Sequence, residues 1–226
     1  MSHFIGLVFV NTNESNLDMM LEPFDENTEN EQYLEFTDCT EEVQRKFDTL
    51  PEKDERLDKD GKPWPYICDK EHYPTFESLA EHWFGYEKNA DGIYGYSCNP
   101  DSKWDWYAIG NRWDGYLFAK ENKDEGHNIL PFDEVDWEEM FKDNFKTYTD
   151  YNGEEKTYND HHIPFCIVTT DGDWHERGEM GWFGISSNDK EEDVWADEVK
   201  TYVKSLAEKA YGGTKDIVVY AVDFHI

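Results

Sequence analysis

Between Asn99 and Gly115 the chain gathers three indoles, a tyrosine, three acids and an arginine, with Trp104-Asp105-Trp106-Tyr107 followed closely by Asn111-Arg112-Trp113-Asp114. Side chains of these types can form a shallow aromatic pocket bordered by Asp105, Asn111, Arg112 and Asp114, which would hold a planar or cationic group by stacking and hydrogen bonding. Read as a strand, the run puts Trp104 and Trp106 on one face around Asp105, and it leaves Asp105 to pair with Arg112, whose rigid fork suits a carboxylate. The plain alternative is an aromatic ladder that serves stability. No ordered catalytic constellation is visible in the spacing. Recognition of a ligand or partner by Trp104, Asp105, Trp106, Asn111, Arg112, Trp113 and Asp114 is therefore expected ahead of chemistry, and no residue is assigned as catalytic.

A second group lies at the two ends of the chain. His3 opens the first apolar run, and Asp223 and His225 fall two residues apart in the last one. If those strands pair in the right register, His3, Asp223 and His225 could take a divalent transition metal. His161 and His162 are further donors, although consecutive strand residues point to opposite faces. The H-E-x-x-H, zinc-finger and EF-hand spacings are absent. No cofactor is expected apart from that metal, and polar strand ends are the simpler explanation of the group. Cys166 sits in an apolar run, where an inert core thiol outweighs a nucleophile. Ser186 and Ser187 belong to no recognised motif.

These residues must be positioned by a small number of elements. Phe4 to Val10 is a continuous apolar run of strand length, and Ile217 to Val222 is a second, so the two termini are expected as neighbours at the centre of a sheet. Ile163 to Thr170 reads as a strand, with Asp171-Gly172-Asp173 as a hairpin turn and Trp174 to Arg177 as the return. Asn188 is placed to cap a helix with Glu191 as its reciprocal acid, Trp195, Val199, Tyr202, Val203, Leu206 and Ala210 as its apolar face and Gly212-Gly213 as its stop. Helices are also expected from Thr40 to Asp48, from a Thr75 cap to Gly85, and from about Asp133 to Asn144, with a turn or hairpin over Thr147 to Asn159. The fold class that follows is α+β, a mixed and mainly antiparallel sheet with helices packed largely on one face. One domain over 1–226 is expected, with a surface insertion at 49–72, where the chain has little to bury.

Composition limits the partners. Against 21 basic residues stand 52 acidic ones, a formal net charge of −31. A hydrophobic fraction of 38% beside such a charge would favour disorder, but Phe, Tyr and Trp supply 16% of the chain, and each packed ring removes roughly 150–250 Å² from water. An aromatic core inside an acidic shell is expected. That shell repels phosphate backbones and anionic headgroups, so neither direct nucleic-acid binding nor membrane binding is expected. Basic partners are favoured instead, while solubility or salt tolerance remains the plain reading of the charge. The first apolar run is too short for a signal core or a membrane span, and Cys39, Cys68, Cys98 and Cys166 are too scattered for a C-x-x-C pair, so a cytoplasmic protein with reduced thiols is expected.

Met1-Ser2-His3-Phe4, Glu22-Pro23-Phe24-Asp25-Glu26-Asn27, the block from Asn99-Pro100 through Lys103-Trp104-Asp105-Trp106-Tyr107 to Gly110-Asn111-Arg112-Trp113, Glu176 to Trp182, and Val222-Asp223-Phe224-His225-Ile226 span nearly the whole chain. Together they resemble a group of acidic proteins encoded by phages and prophages. In that pattern a glycine commonly stands where this chain has Asn111, which puts a glycine-dependent turn there in question. The resemblance implies the cytoplasm of a bacterial host and brings no shared activity with it. Joined to the charge, it leads to the expectation of an inhibitor that binds a host nucleic-acid-processing defence protein, in the manner of an anti-restriction or anti-CRISPR protein or a DNA mimic. A metal-dependent hydrolase or nucleotide-processing enzyme and a structural virion-associated protein are the alternatives. Oligomeric state is left open.

Overall fold

A computed structural model describes residues 2–121, 125–159, 162–209 and 213–226. The chain divides into two compact units, Met1–Glu26 with Asp101–Ile226, and Asn27–Pro100. The fold class is α+β with a mainly antiparallel sheet, as the alternation of apolar runs and helical patterns predicts.

The larger unit is built on six strands: β1 (His3–Asn11), β2 (Trp106–Ile109), β3 (Ile129–Pro131), β4 (Cys166–Val168), β5 (Trp174–Glu176) and β6 (Ile217–His225). Their order is β5-β4-β1-β6-β2, with β3 also paired to β6. β1 and β4 run parallel and every other pair is antiparallel. The terminal strands are neighbours, in a register that runs from His3↔His225 to Asn11↔Ile217. Their apolar runs are unbroken because both faces are covered. On one face Leu7, Phe9, Val219 and Ala221 meet Trp195, Val199 and Val203 of the long helix Glu192–Lys209. On the other, Phe4, Val8, Val222 and Phe224 meet Cys166, Trp104 and the short helix Leu17–Leu21 through Met20 and Leu21. A fully buried side chain of this kind contributes roughly 1.5–3 kcal/mol. Gly6 must lack a side chain, because a Cβ there would lie 2.5 Å from the Phe224 ring and 2.6 Å from Cys166 Sγ. Burial also pushes the Cys166 thiol well up, which makes it an inert core residue.

Two helix expectations are corrected. Over 133–144 the chain forms only a 3-10 turn, Phe132–Glu134, and a short helix, Trp137–Met140. Val135 between them is extended, fully buried and bridged to Ala119, so the apolar pattern served packing instead of one continuous helix. Asn188 does not cap the long helix. It adopts φ +55°, and the Glu191 carbonyl accepts the first helical hydrogen bond, from Trp195. Ala210 and Gly212 lie outside the described residues, as does His161. The hairpin over 147–159 is present as Phe145–Thr149 paired with Glu155–Asn159.

The smaller unit has its own core of Val43, Leu50, Cys68, Leu79, Ala80 and Tyr94. A three-stranded antiparallel sheet, Glu35–Asp38, Tyr94–Cys98 and Glu87–Lys88, accompanies the helix Thr40–Asp48 and a helical stretch from Phe76 to Phe84. Thr75 caps that stretch through Oγ1, which accepts from the Ser78 N–H. The segment 49–72 belongs to this unit. Among the described residues no helix is long and apolar enough to cross a membrane.

Candidate functional site

The register His3↔His225 continues as His225↔Trp106, so three strands deliver His3, His225 and Trp106 side by side at one end of the larger unit's sheet. Period-two alternation puts Asp223 on the same face as His225, opposite Ile5. The two groups that sequence kept apart, the aromatic block and the terminal His/Asp group, are therefore one cluster.

Asp223 is completely buried. Its Oδ1 lies 2.9 Å from His3 Nδ1, and its Oδ2 accepts from Asn111 Nδ2 at 2.7 Å and is approached by the Arg112 backbone N–H at 3.5 Å. His225 Nδ1 lies 2.6 Å from Asp105 Oδ1. The two imidazoles touch edge to face, with centroids 4.9 Å apart. Trp106 stacks on His225 at 5.0 Å and meets His3 edge-on at 5.3 Å. A carboxylate accepts, so each Nδ1 carries its proton and each Nε2 keeps a lone pair for a proton or a ligand. His3 is 10% exposed, Asp105 32% and Trp106 40%, so the cluster opens to solvent on the Trp106 side.

Local backbone explains the positions. The Asp105 N–H donates to the His225 carbonyl, which docks the residue before β2 onto β6. After β2 the chain turns through Gly110 at φ +71° and Asn111 at φ +51°. A side chain on Gly110 would strike Asn128 at 2.3 Å. Asn111 sits in the left-handed region that glycine prefers and asparagine tolerates best among other residues, so the turn persists without glycine and gains an amide that reaches Asp223. Ser2 fixes the start of β1: its hydroxyl donates to the Gly181 carbonyl and accepts from the Gly184 N–H.

The remaining block residues divide. Trp104 and Trp106 do not share a face, because β2 begins only at Trp106; Trp104 is buried in the opposite core, edge-on to Tyr107. Asp105 pairs with His225 where sequence had suggested Arg112, which is exposed. Trp113 packs against the core under the long helix, and Asp114 accepts from Asn128 Nδ2 at 2.7 Å. Asn128, which also accepts from the Gly115 N–H, was missed. Lone asparagines give no sequence signal of a bridging role. His3, Asp223 and His225 do converge, but the Asp223 oxygens are taken by His3 and Asn111, while His225 bonds Asp105 and meets His3 only ring to ring. No group of three or more His, Cys, Asp or Glu among the described residues is arranged to hold a metal ion. Comparisons with protein family models, with curated proteins and with solved structures found no match.

Proposed function

We propose that this chain is an acid–base enzyme acting on a small polar substrate at the end of the larger unit's sheet. The observation that carries the reading is the contact between His3 and His225, each held through Nδ1 by its own carboxylate. Two imidazoles at one point let one nitrogen take a proton while the other, once protonated, returns it, which is what hydrolysis by an activated water requires. Asp223 and Asp105 act as positioning residues that fix tautomer and ring orientation, and Trp106 offers an indole for a planar substrate group. The reading favours chemistry over the recognition expected from the aromatic block alone, because the ordered constellation absent from that block is completed by the chain termini.

A panel of chromogenic carboxylic esters, phosphate esters and glycosides tests it. Turnover of at least one class is expected, lowered about a hundredfold by His3→Gln or His225→Gln, in line with the usual contribution of one acid–base group. Absence of turnover across the panel, with imidazole resonances unmoved by a mixture of small metabolites, would overturn the proposal.

A second reading is favoured by the net charge of −31: docking of a basic protein, including a host nucleic-acid-processing protein whose phosphate-binding face the acids would cover. At physiological salt, charges are screened beyond about 8 Å, so this field speeds encounter and needs a local contact surface to hold a partner.

A further inference from the structure

Beside the long helix Glu192–Lys209 runs an open groove of about 690 Å³. Its floor is apolar, made by Ile167 of β4 with Trp195 and Tyr202 of the helix, and its outer wall carries Val194, Asp197 and Glu198. Val194 is half exposed, although it lies only one residue from the buried Trp195. The chain itself shows which chemistry this wall accepts. The Lys190 ammonium sits 5.0 Å from the Trp195 ring centroid and 2.5 Å from Glu198 Oε2, so the indole and the acid already hold one cation between them.

We propose that this groove is the docking site for a basic segment of a partner protein, a lysine or arginine flanked by aliphatic residues. The aliphatic side chains would cover Val194 and the groove floor beside it, and the cation would meet Asp197, next to the acid that Lys190 already engages. Charge complementarity selects this occupant. An uncharged apolar segment would bury Asp197 against apolar groups, and an acidic one would face both Asp197 and the field of the whole chain. The inference rests on the second reading above and gives it an address; it is independent of the histidine cluster.

The test titrates the full-length chain with a short synthetic peptide of lysines flanked by leucines, followed by backbone amide shifts at physiological ionic strength. Oligolysine of equal charge and a peptide with glutamate in place of lysine are the controls. Shifts confined to Val194, Thr201, Ser205 and their neighbours are expected, with affinity lowered about tenfold by Val194→Arg and by Asp197→Lys, and no binding of the acidic peptide. Both substituted positions are exposed, and two variants guard against one that misfolds. Equal binding of oligolysine with shifts scattered over the acidic surface would overturn the groove and leave the second reading standing. Failure of both basic peptides to bind would overturn the two together.

Discussion

Each unit buries one aspartate beside a histidine, and the two pairs are built in opposite ways. In the smaller unit Asp69 is held by its own neighbourhood: it accepts from the Asp54 N–H at 2.7 Å, the His72 N–H at 2.9 Å and His72 Nδ1 at 2.8 Å. Burial pushes its carboxyl up, but the Asp54 N–H and the His72 ring and N–H together outweigh that and hold it at about 2. His72 itself is 52% exposed. In the larger unit Asp223 meets the side chains of His3 and Asn111, which lie 220 and 112 residues away in sequence. Its histidine packs against a second imidazole and an indole. A buried acid satisfied by nearby backbone closes a loop. One satisfied by side chains from distant elements organises a site.

The largest effect that separates them is expected from Asp223→Ala. Truncation empties a fully buried position and takes away the acceptor of the largely buried His3 Nδ1–H and of the Asn111 amide, at a cost of about 3 kcal/mol of unfolding free energy. Urea denaturation of the larger unit measures it. A loss below about 1 kcal/mol would mean that solvent reaches Asp223, and the distinction between the pairs would fall.

Acid should then loosen the Asp69 loop of the smaller unit. The folded value of Asp69 lies below the unfolded value of about 3.9, so its contribution is fully present above that value and disappears as pH falls towards about 2. Asp54, held at about 2 by the Arg56 side chain and N–H, follows the same sign. Hydrogen exchange at the Asp54 and His72 amides, compared between wild type and Asp69→Asn, should show a protection gap above the unfolded value that closes towards pH 2. A gap independent of pH would show that charge on Asp69 is irrelevant to the loop.

Asn111 offers a finer cut. Asn111→Gly keeps the left-handed turn and removes the amide donor, at a cost of about 1 kcal/mol. Asn111→Ala loses the donor and also carries a Cβ into φ +51°, which adds about 1 kcal/mol more. Thermal unfolding that ranks alanine below glycine supports a turn demanding positive φ; the reverse order would place the strain elsewhere.

The parts of this arrangement that sequence revealed are those with a local physical cause. β1 and β6 were legible because burial on both faces makes an unbroken apolar run, and their partnership put His3 near His225. The C-terminal hairpin was legible from Asp171-Gly172-Asp173 between the apolar run that ends at Thr170 and the return Trp174 to Arg177. What failed depended on where regular backbone begins. Alternation predicted a shared face for Trp104 and Trp106, but period two holds only inside a strand, and this strand starts at Trp106. Asp105 was matched to the nearest arginine when its partner, His225, lay 120 residues away. Both candidate groups were visible; their union was not, because strand register is a long-range property.

The smallest effect is expected where the two pairs look most alike. His72→Ala removes one of three donors to Asp69, and the two backbone N–H groups remain. The lost contact is largely solvent-exposed on the histidine side, and pairs of that kind contribute between 0 and about 1 kcal/mol, so a change within about 0.5 kcal/mol is expected by urea denaturation. His3→Ala, by contrast, strips the buried Asp223 of its imidazole and leaves one side-chain donor. If the two substitutions cost the same, the histidine beside a buried acid is equally dispensable in both units, and the claim that side-chain satisfaction marks a working site loses its support.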